Sequence, residues 1–295
     1  MLKNVSSSLL LLCFVFGLFF VSMPISSSAA EIDVLNKEQK VELAKNYIEN
    51  NVTNLNEILM NMQTQDPDLE DVQTVIMEYL DENSVPEEIV NDLTIDDIFP
   101  LENEKVEYKQ KENEVLQFED IVAYAKDNDE GNIYEFKNED GKVTVYVADT
   151  GEVMIHEQSI VPTLDLNDNN TLAAWKTTKT ERSNGVAVNA VGKTMFTYWA
   201  SGNFEYNGKS ARHLNNDGNI ERKLWGSSLV IEKKAEGAKR TVAVGSYKYP
   251  EVYSRVYFEA TFGIRWLGVT MKSGTFEAYV GGTYAGSVYG GLRAI

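Results

Sequence analysis

Two histidines are the side chains of this sequence best suited to acid–base or metal chemistry. His156 and His213 stand far apart, and neither belongs to an H-x-x-x-H or H-x-x-E arrangement. The one cysteine, Cys13, lies in an N-terminal apolar run, so zinc sites of the usual kinds are nearly excluded. No G-x-S-x-G segment offers a serine nucleophile. We therefore predict no catalytic, metal-binding or cofactor-binding residues.

The surroundings of His213 indicate a loop. It occurs in the polar run Ala211–Gly218, which is typical of a turn, so we expect an exposed histidine rather than a catalytic base. An unrecognised hydrolase stays an alternative. It would need His213 or His156 beside a carboxylate in a cleft.

Two acidic segments resemble fragments of a calcium loop. The first has Asn170 in place of the required glycine and Lys176 where the bidentate glutamate should stand. Its matching ligand positions are Asp165, Asn167 and Asn169. The second, residues 127–131, reads Asp-Asn-Asp-Glu-Gly and is typical of a solvated turn. We expect no calcium site in either segment.

Aromatic side chains crowd the C-terminal third of the chain. Exposed together on one sheet, they would suit a carbohydrate- or peptide-binding face; otherwise they fill a core or pair across strands, which we favour. The glycines among them are not a phosphate loop, because no helix follows them, and they indicate bends or close strand approach. The aromatic residues are Tyr247, Tyr249, Tyr253, Tyr257, Phe258, Trp266, Tyr279, Tyr284 and Tyr289.

The first thirty residues have the pattern of a secretory signal peptide. Lys3 supplies a positive charge, Leu9–Val21 is an almost unbroken apolar run, and Ser28-Ala-Ala30 provides the small residues that a signal peptidase requires. The run is shorter than the roughly 20 residues needed to cross a bilayer. We predict cleavage after Ala30, a secreted product and no stable membrane anchor after cleavage.

Charge is unevenly distributed along the chain. Residues 31–140 hold 31 acidic and 8 basic side chains, a balance of −23, whereas residues 141–295 hold 14 and 18, a balance of +4. The acidic part would repel nucleic acid and anionic membranes, so we predict no nucleic-acid partner. The contrast indicates two different kinds of segment.

The pattern of residues 31–100 predicts an acidic helical segment. Asn36 can cap a first helix, a second apolar stripe follows from Leu55 to Met62, and Asp66 with Pro67 has the form of a third helix start. Ser84 and Glu87 have the spacing of a capping box for a fourth helix. Residues 101–114 are charged and lack periodicity, which predicts a linker.

Residues 115–160 predict a β-meander. Alternating strands around residues 133–136, 143–147 and 153–155 are separated by Asp140-Gly141 and Thr150-Gly151, which favour tight turns. The segment with its Asp149-Thr-Gly-Glu-Val153 end resembles the strand–turn–strand half of PepSY-type modules, which occur in exported bacterial proteins. We base no prediction on this resemblance.

A polar linker over residues 161–174 then leads to a strand-rich domain over residues 175–295. Many short Val-, Tyr-, Phe- and Thr-rich runs separated by turns are typical of an antiparallel sandwich or barrel. The expected fold class is α+β: the small acidic helical segment, the β-meander, and an antiparallel β-sandwich as C-terminal domain.

The most consistent function is non-enzymatic binding outside the cell, to cell-wall material or another protein. A first alternative is a secreted toxin or antimicrobial factor whose acidic helical half keeps the C-terminal domain inactive. The alternating stretch Arg255–Phe262 could in principle form a membrane hairpin, although half-buried sheets give the same pattern more often. The unrecognised hydrolase is a second alternative.

Overall fold

Antiparallel strands make up about half of the chain and helices about a quarter, which confirms the α+β class. The computed structural model describes residues 35–65, 67–100, 115–161, 175–224, 229–266 and 269–295. The expected signal peptide, the charged linker at 101–114 and residues 162–174 of the second linker lie outside the described residues. The calcium-like positions Asp165, Asn167 and Asn169 lie outside them as well.

Five helices are described, and four of them belong to the acidic segment. The first begins at the predicted cap: the Asn36 side chain accepts from the Gln39 backbone amide, and the Gln39 side chain accepts in return from the Asn36 amide. The two predicted apolar stripes lie on this single helix. The helices are α1 (Lys37–Gln63), α2 (Leu69–Asn83), α3 (Glu87–Val90), α4 (Ile95–Ile98) and α5 (Phe118–Asn128).

Several predicted helix starts are wrong in detail. Asp68 rather than Asp66 caps α2, and Asp66 lies outside the described residues. Ser84 ends α2 instead of capping α3, which starts after Pro86 because proline suits the first positions of a helix. Helix α5 falls in the segment predicted as a meander, where charged residues around its short apolar stripe obscured the helical period.

In the described part of the chain, twelve strands form two antiparallel sheets. Sheet 1 has the order β1-β12-β11-β10-β9, and sheet 2 has the order β2-β3-β4-β6-β7-β5, with β8 also paired to β7. The first six strands are β1 (Leu116–Gln117), β2 (Asn132–Lys137), β3 (Gly141–Val147), β4 (Val153–Val161), β5 (Lys176–Thr177) and β6 (Thr180–Val188). The others are β7 (Thr194–Tyr206), β8 (Ala211–Arg222), β9 (Leu229–Val244), β10 (Tyr247–Trp266), β11 (Val269–Gly282) and β12 (Val288–Ala294).

The three predicted meander strands, β2 to β4, do not end the sheet. Strand β4 pairs with β6 from Val153 opposite Val188 to Val161 opposite Thr180. An isolated meander would leave the polar backbone groups of β4 unpaired, and β6 satisfies them. Sheet 2 therefore runs across the boundary expected at residues 161–174.

Two polar strands were not anticipated in full. The run Ala211–Gly218, predicted as a turn, belongs to β8. The sequence pattern predicts separate strands at residues 228–231 and 241–244, and the charged residues between them join both into the single strand β9. Strand β9 lies at the edge of sheet 1 and β8 pairs with β7 alone. Edge strands carry charged and polar residues that discourage pairing with other chains, so their apolar alternation is weak.

The apolar core has two clusters, one on each face of sheet 2. One face of β3, β4 and β6 packs against α1 and α2, with Val145 and Ile155 meeting Leu59 and Ile76. The other face of sheet 2, the inner face of sheet 1 and helix α5 share the second cluster. Phe276 of sheet 1 stacks there on Tyr198 of sheet 2, with 6.4 Å between ring centroids.

Candidate functional site

The candidate functional surface is the outer face of sheet 1, which points away from the core. Along β10, residues alternate between the two faces: Val252 and Val256 are fully buried, whereas Tyr253 and Tyr257 are partly exposed. Phe258 lies in the core, where we expected aromatic residues that do not form a binding face. The side chain of Trp266 lies outside the described residues.

Six tyrosines form a continuous group on this outer face, which we call the tyrosine row. The rings of Tyr247 and Tyr284 stack with centroids 4.5 Å apart, and Tyr249 lies 6.1 Å from both. Tyr249 and Tyr289 are 6.4 Å apart, which extends the row inward. The full row is Tyr247, Tyr249, Tyr253, Tyr279, Tyr284 and Tyr289.

Two glycines allow the inner rings of the row to lie close to the sheet. Gly281 stands opposite Tyr289 in the β11–β12 register, and Gly291 stands opposite Tyr279. A Cβ added at Gly281 would overlap the Tyr289 ring, and one added at Gly291 would press on the Tyr279 hydroxyl. At both glycines the absent side chain makes room for a tyrosine ring of the paired strand, whereas the sequence predicted bends or close strand approach.

Glu277 is the centre of an ion-pair network beside the tyrosine row. Its side chain is 0% exposed and accepts hydrogen bonds from arginines on three other strands of sheet 1. Arg240 of β9 donates through Nη1 at 2.8 Å, Arg255 of β10 through Nη2 at 2.8 Å, and Arg293 of β12 through Nε at 2.7 Å. We call these residues, together with Glu251, the Arg–Glu cluster.

Glu251 joins the cluster to the tyrosine row. Arg240 Nε donates to Glu251 Oε2 at 2.8 Å, and Arg293 Nη2 donates to the same oxygen at 3.0 Å. The Tyr289 hydroxyl donates to the other carboxylate oxygen at 3.1 Å. Three arginines and two glutamates leave the cluster with a formal charge of +1.

The environment fixes the protonation states of this face. Burial opposes the charge of Arg240, but Glu277 and Glu251 outweigh it and raise the pKa of the guanidinium. Burial and the nearby Glu251 raise the pKa of the Tyr289 hydroxyl, and burial with Glu119 raises that of Tyr279. Tyr279 and Tyr289 therefore remain protonated donors at physiological pH.

The arginines also stack on the rings. Arg240 Cζ lies 4.3 Å from the Tyr253 ring centroid, and Arg293 Cζ lies 3.9 Å from that of Tyr279. Within the described residues, Nη1 of Arg255 and Nη1 of Arg293 make no hydrogen bond. The face thus offers aromatic rings for stacking, hydroxyl donors and two guanidinium edges, a combination suited to binding rather than to proton transfer.

The two histidines do not meet the requirement for a hydrolase in the described structure. His156 is buried, and its Nε2 lies 3.2 Å from Ser183 Oγ, which itself donates to the Gly291 carbonyl at 2.9 Å. Burial, with Lys142 nearby, lowers the pKa of His156 to about 4. His213 lies on β8 with Nε2 3.0 Å from the Glu251 carbonyl oxygen, so the predicted loop position is wrong.

The acidic segment at residues 127–131 is the end of helix α5. Asp129 closes the helix in the left-handed conformation, with φ of 52°, and Glu130 forms an ion pair with Arg265. The described residues contain no group of three or more His, Cys, Asp or Glu side chains placed to hold a metal ion. A small cavity among them lies between α1 and Gly151, and no titratable side chain lines it.

The tyrosines of this face were predicted as a candidate group from the sequence, but the Arg–Glu cluster was not. Glu251, Tyr253 and Arg255 follow one another at every second position of β10, as do Glu277 and Tyr279 on β11. That period of two was a usable signal for one shared face. The register that brings three arginines to Glu277 depends on strand order, which the sequence does not state.

Comparisons with protein families, with curated proteins and with solved structures find no match to this chain. None of the described helices is long and apolar enough to span a membrane.

Proposed function

We propose that this protein is a secreted, non-enzymatic binding protein of the extracellular space or cell envelope. Residues 1–30 act as its signal peptide and are removed after Ala30. Its binding surface is the outer face of sheet 1, and its ligand is cell-wall material. The observation that carries the proposal is the row of partly exposed tyrosine rings beside the positively charged Arg–Glu cluster.

The chemistry of this face supports a saccharide-containing ligand. Sugar rings present apolar C–H faces that pack on tyrosine rings, and their hydroxyls accept from tyrosine and arginine donors. Tyr247, at the outer end of the row, is 45% exposed, and Arg255 keeps 34% of its side chain exposed. A face built for burial against another part of the chain would not keep these groups accessible.

We further propose that the two sheets form a β-sandwich that holds this face rigid. Support comes from the shared core cluster, in which Phe196 of sheet 2 lies 5.8 Å from Phe258 of sheet 1. Ser183 of β6 also bonds to Gly291 of β12, so a polar link ties sheet 2 to the strand beneath Tyr279. Sites supported on rigid elements hold their side chains in position more accurately than loops do.

The alternative of a toxin held inactive by its helical half is weaker. Helices α1 and α2 contribute fully buried side chains, including Leu55, Leu59 and Ile76, to one cluster with β3, β4 and β6. Such apolar packing is typical of a permanent layer of the fold rather than of a removable inhibitor.

A sedimentation assay with the purified protein and insoluble cell-wall material tests the proposal. We expect the wild type to co-sediment and the Tyr247→Ala, Tyr284→Ala double variant to lose at least tenfold in apparent affinity. Met60→Ala is the control, because Met60 is 58% exposed on α1 and distant in the chain from sheet 1. Equal binding by all three proteins, or binding by none, would overturn the proposal.

A further inference from the structure

Arg182 on β6 is a charged side chain without a hydrogen-bonding partner in the described structure. Its guanidinium carbon lies 4.0 Å from the centroid of the Trp199 ring on β7. Its Nε atom is shielded from solvent and has no hydrogen-bond acceptor, and no described carboxylate forms an ion pair with it. The other side-chain atom in that condition is the hydroxyl of Tyr198, which carries no charge.

A second arginine of the same sheet stacks on a tryptophan and also pairs with a carboxylate. Arg212 on β8 lies over Trp175 at 4.4 Å, and its Nε donates to Glu205 at 2.6 Å. In sheet 1, Arg240, Arg255 and Arg293 all bind carboxylates. A partly buried charge is costly without a counter-charge. We therefore expect the unpaired guanidinium of Arg182 to bind an anion from outside the described chain.

The neighbours of Arg182 supply further donors on the same face of sheet 2. The register places Ser159 of β4 and Ser201 of β7 directly opposite Arg182 on its two sides, and residues opposite one another in antiparallel strands share a face. Asn203 lies two residues beyond Ser201; its Oδ1 accepts from the Asn215 amide, and its Nδ2 makes no hydrogen bond in the described structure. Ser201 and Asn203 are both buried.

A nearby carboxylate of this face, that of Glu157, already accepts a hydrogen bond. Glu157 stands two residues before Ser159 on β4, and its carboxylate accepts from the Asn184 amide at 3.3 Å. Asn184 also donates to Gln73 of α2 at 3.0 Å, so helix α2 borders the face at this point. Arg182 stands two residues before Asn184 on β6 and is flanked in the register by Ser159 and Ser201.

We propose a second binding site at Arg182, Ser159 and Ser201, which takes an oxyanionic group, carboxylate or phosphate, of an extracellular ligand. The guanidinium stacks on Trp199 and binds the anion through its Nη atoms, and the flanking hydroxyls donate to the anion's oxygens. The site lies on sheet 2 and does not depend on the tyrosine row.

Titration of the full secreted chain with sodium glucuronate, inorganic phosphate and neutral glucose tests this site, with calorimetry and tryptophan fluorescence as readouts. We expect saturable binding of glucuronate or phosphate and none of glucose; the tighter of the two anions identifies the group. Arg182→Gln should weaken that binding at least tenfold. Arg212→Gln, which alters the arginine already paired with Glu205, should leave it unchanged.

Three results would overturn the proposal. An anion site at Arg182 would be excluded if neither anion bound the wild type, or if Arg182→Gln bound as tightly as the wild type. Equal losses of affinity in Arg182→Gln and Arg212→Gln would exclude it as well. Thermal unfolding of Arg182→Gln checks that the variant is folded. The Tyr247→Ala, Tyr284→Ala protein should retain anion binding, which separates this site from the tyrosine row.

Discussion

The ring of Tyr289 lies directly over Gly281, its partner in the β11–β12 register, so closely that no side chain could stand at residue 281 without moving the ring. The Tyr289 hydroxyl is at the same time bonded to Glu251. A residue without a side chain thus sets the position of a ring that links the tyrosine row to the Arg–Glu cluster.

Gly281→Ala should therefore displace Tyr289 and weaken binding of cell-wall material. The added methyl group overlaps the ring, so we expect a stability loss of about 1–3 kcal/mol, typical of overpacking. In a Tyr289→Ala background the overlap is gone, and the same glycine change should cost much less. Chemical denaturation of the four proteins of this double-mutant cycle measures the coupling; additive losses would show that ring and glycine are not in contact.

Glu277→Gln should be among the most destabilising isosteric changes in the chain. The substitution leaves Arg240 and Arg293 with one carboxylate, Glu251, and takes from Arg255 the carboxylate it binds in the described structure. Breaking a buried ion pair in this way costs about 3–5 kcal/mol. Glu205→Gln is the control, because the Glu205–Arg212 pair is more exposed and should contribute about 1 kcal/mol or less. Urea denaturation at pH 7 compares the two, and equal losses would refute a central role for Glu277.

Acidification should destabilise the protein through His156. Its pKa is about 4 in the folded chain, against an ordinary value near 6.5, so between these values the unfolded chain binds a proton that the folded chain does not. Stability then falls as the pH drops from about 6.5 to about 4, by up to about 3 kcal/mol from this residue. Above pH 6.5 the residue makes no pH-dependent contribution.

His156→Gln isolates that effect from the titration of the carboxylates. Glutamine keeps a donor for Ser183 and does not titrate, so the variant should show a shallower fall of unfolding free energy between pH 6.5 and 4 than the wild type. Parallel pH profiles for the two proteins would contradict the assignment.

Cutting the chain between the helical segment and β1 should not separate the two parts. A protease site placed within residues 101–114 can be cleaved after folding, and the apolar cluster that joins α1 and α2 to sheet 2 should hold the fragments together. Size-exclusion chromatography should show both fragments in one peak, with lipid vesicles left intact. A released helical fragment together with vesicle leakage would instead favour the held-inactive toxin.

Local signals in the sequence were sufficient for much of the fold. The Asn36 cap, the turns at Gly141 and Gly151 and the alternation along β10 depend on neighbouring residues, and they predicted α1, the meander strands and a β-rich C-terminal part. The sequence did not predict the pairing of β4 with β6, because strand order is a property of the whole chain. The polar edge strand β8 was missed for lack of alternation.

Of the candidate site, the tyrosines could be predicted from the sequence and the Arg–Glu cluster could not, for the same reason. Tyrosines at every second position can be read from β10, but their exposure depends on which face of the sheet meets the core. The convergence of Arg240 and Arg293 on Glu277 joins residues from three strands. The Arg182 site likewise depends on the register that sets Ser159 and Ser201 on either side of it.

Chemical labelling of tyrosines, with and without cell-wall material, tests whether the tyrosine row is the surface that binds the wall. Mass spectrometry of the iodinated protein reports each ring separately, and the partly exposed rings of Tyr247 and Tyr284 should react freely without ligand. We predict that bound wall material protects these two rings, while Tyr257, midway along β10 and outside the tyrosine row, is protected less. Binding that leaves the whole tyrosine row as reactive as in the free protein would contradict this prediction.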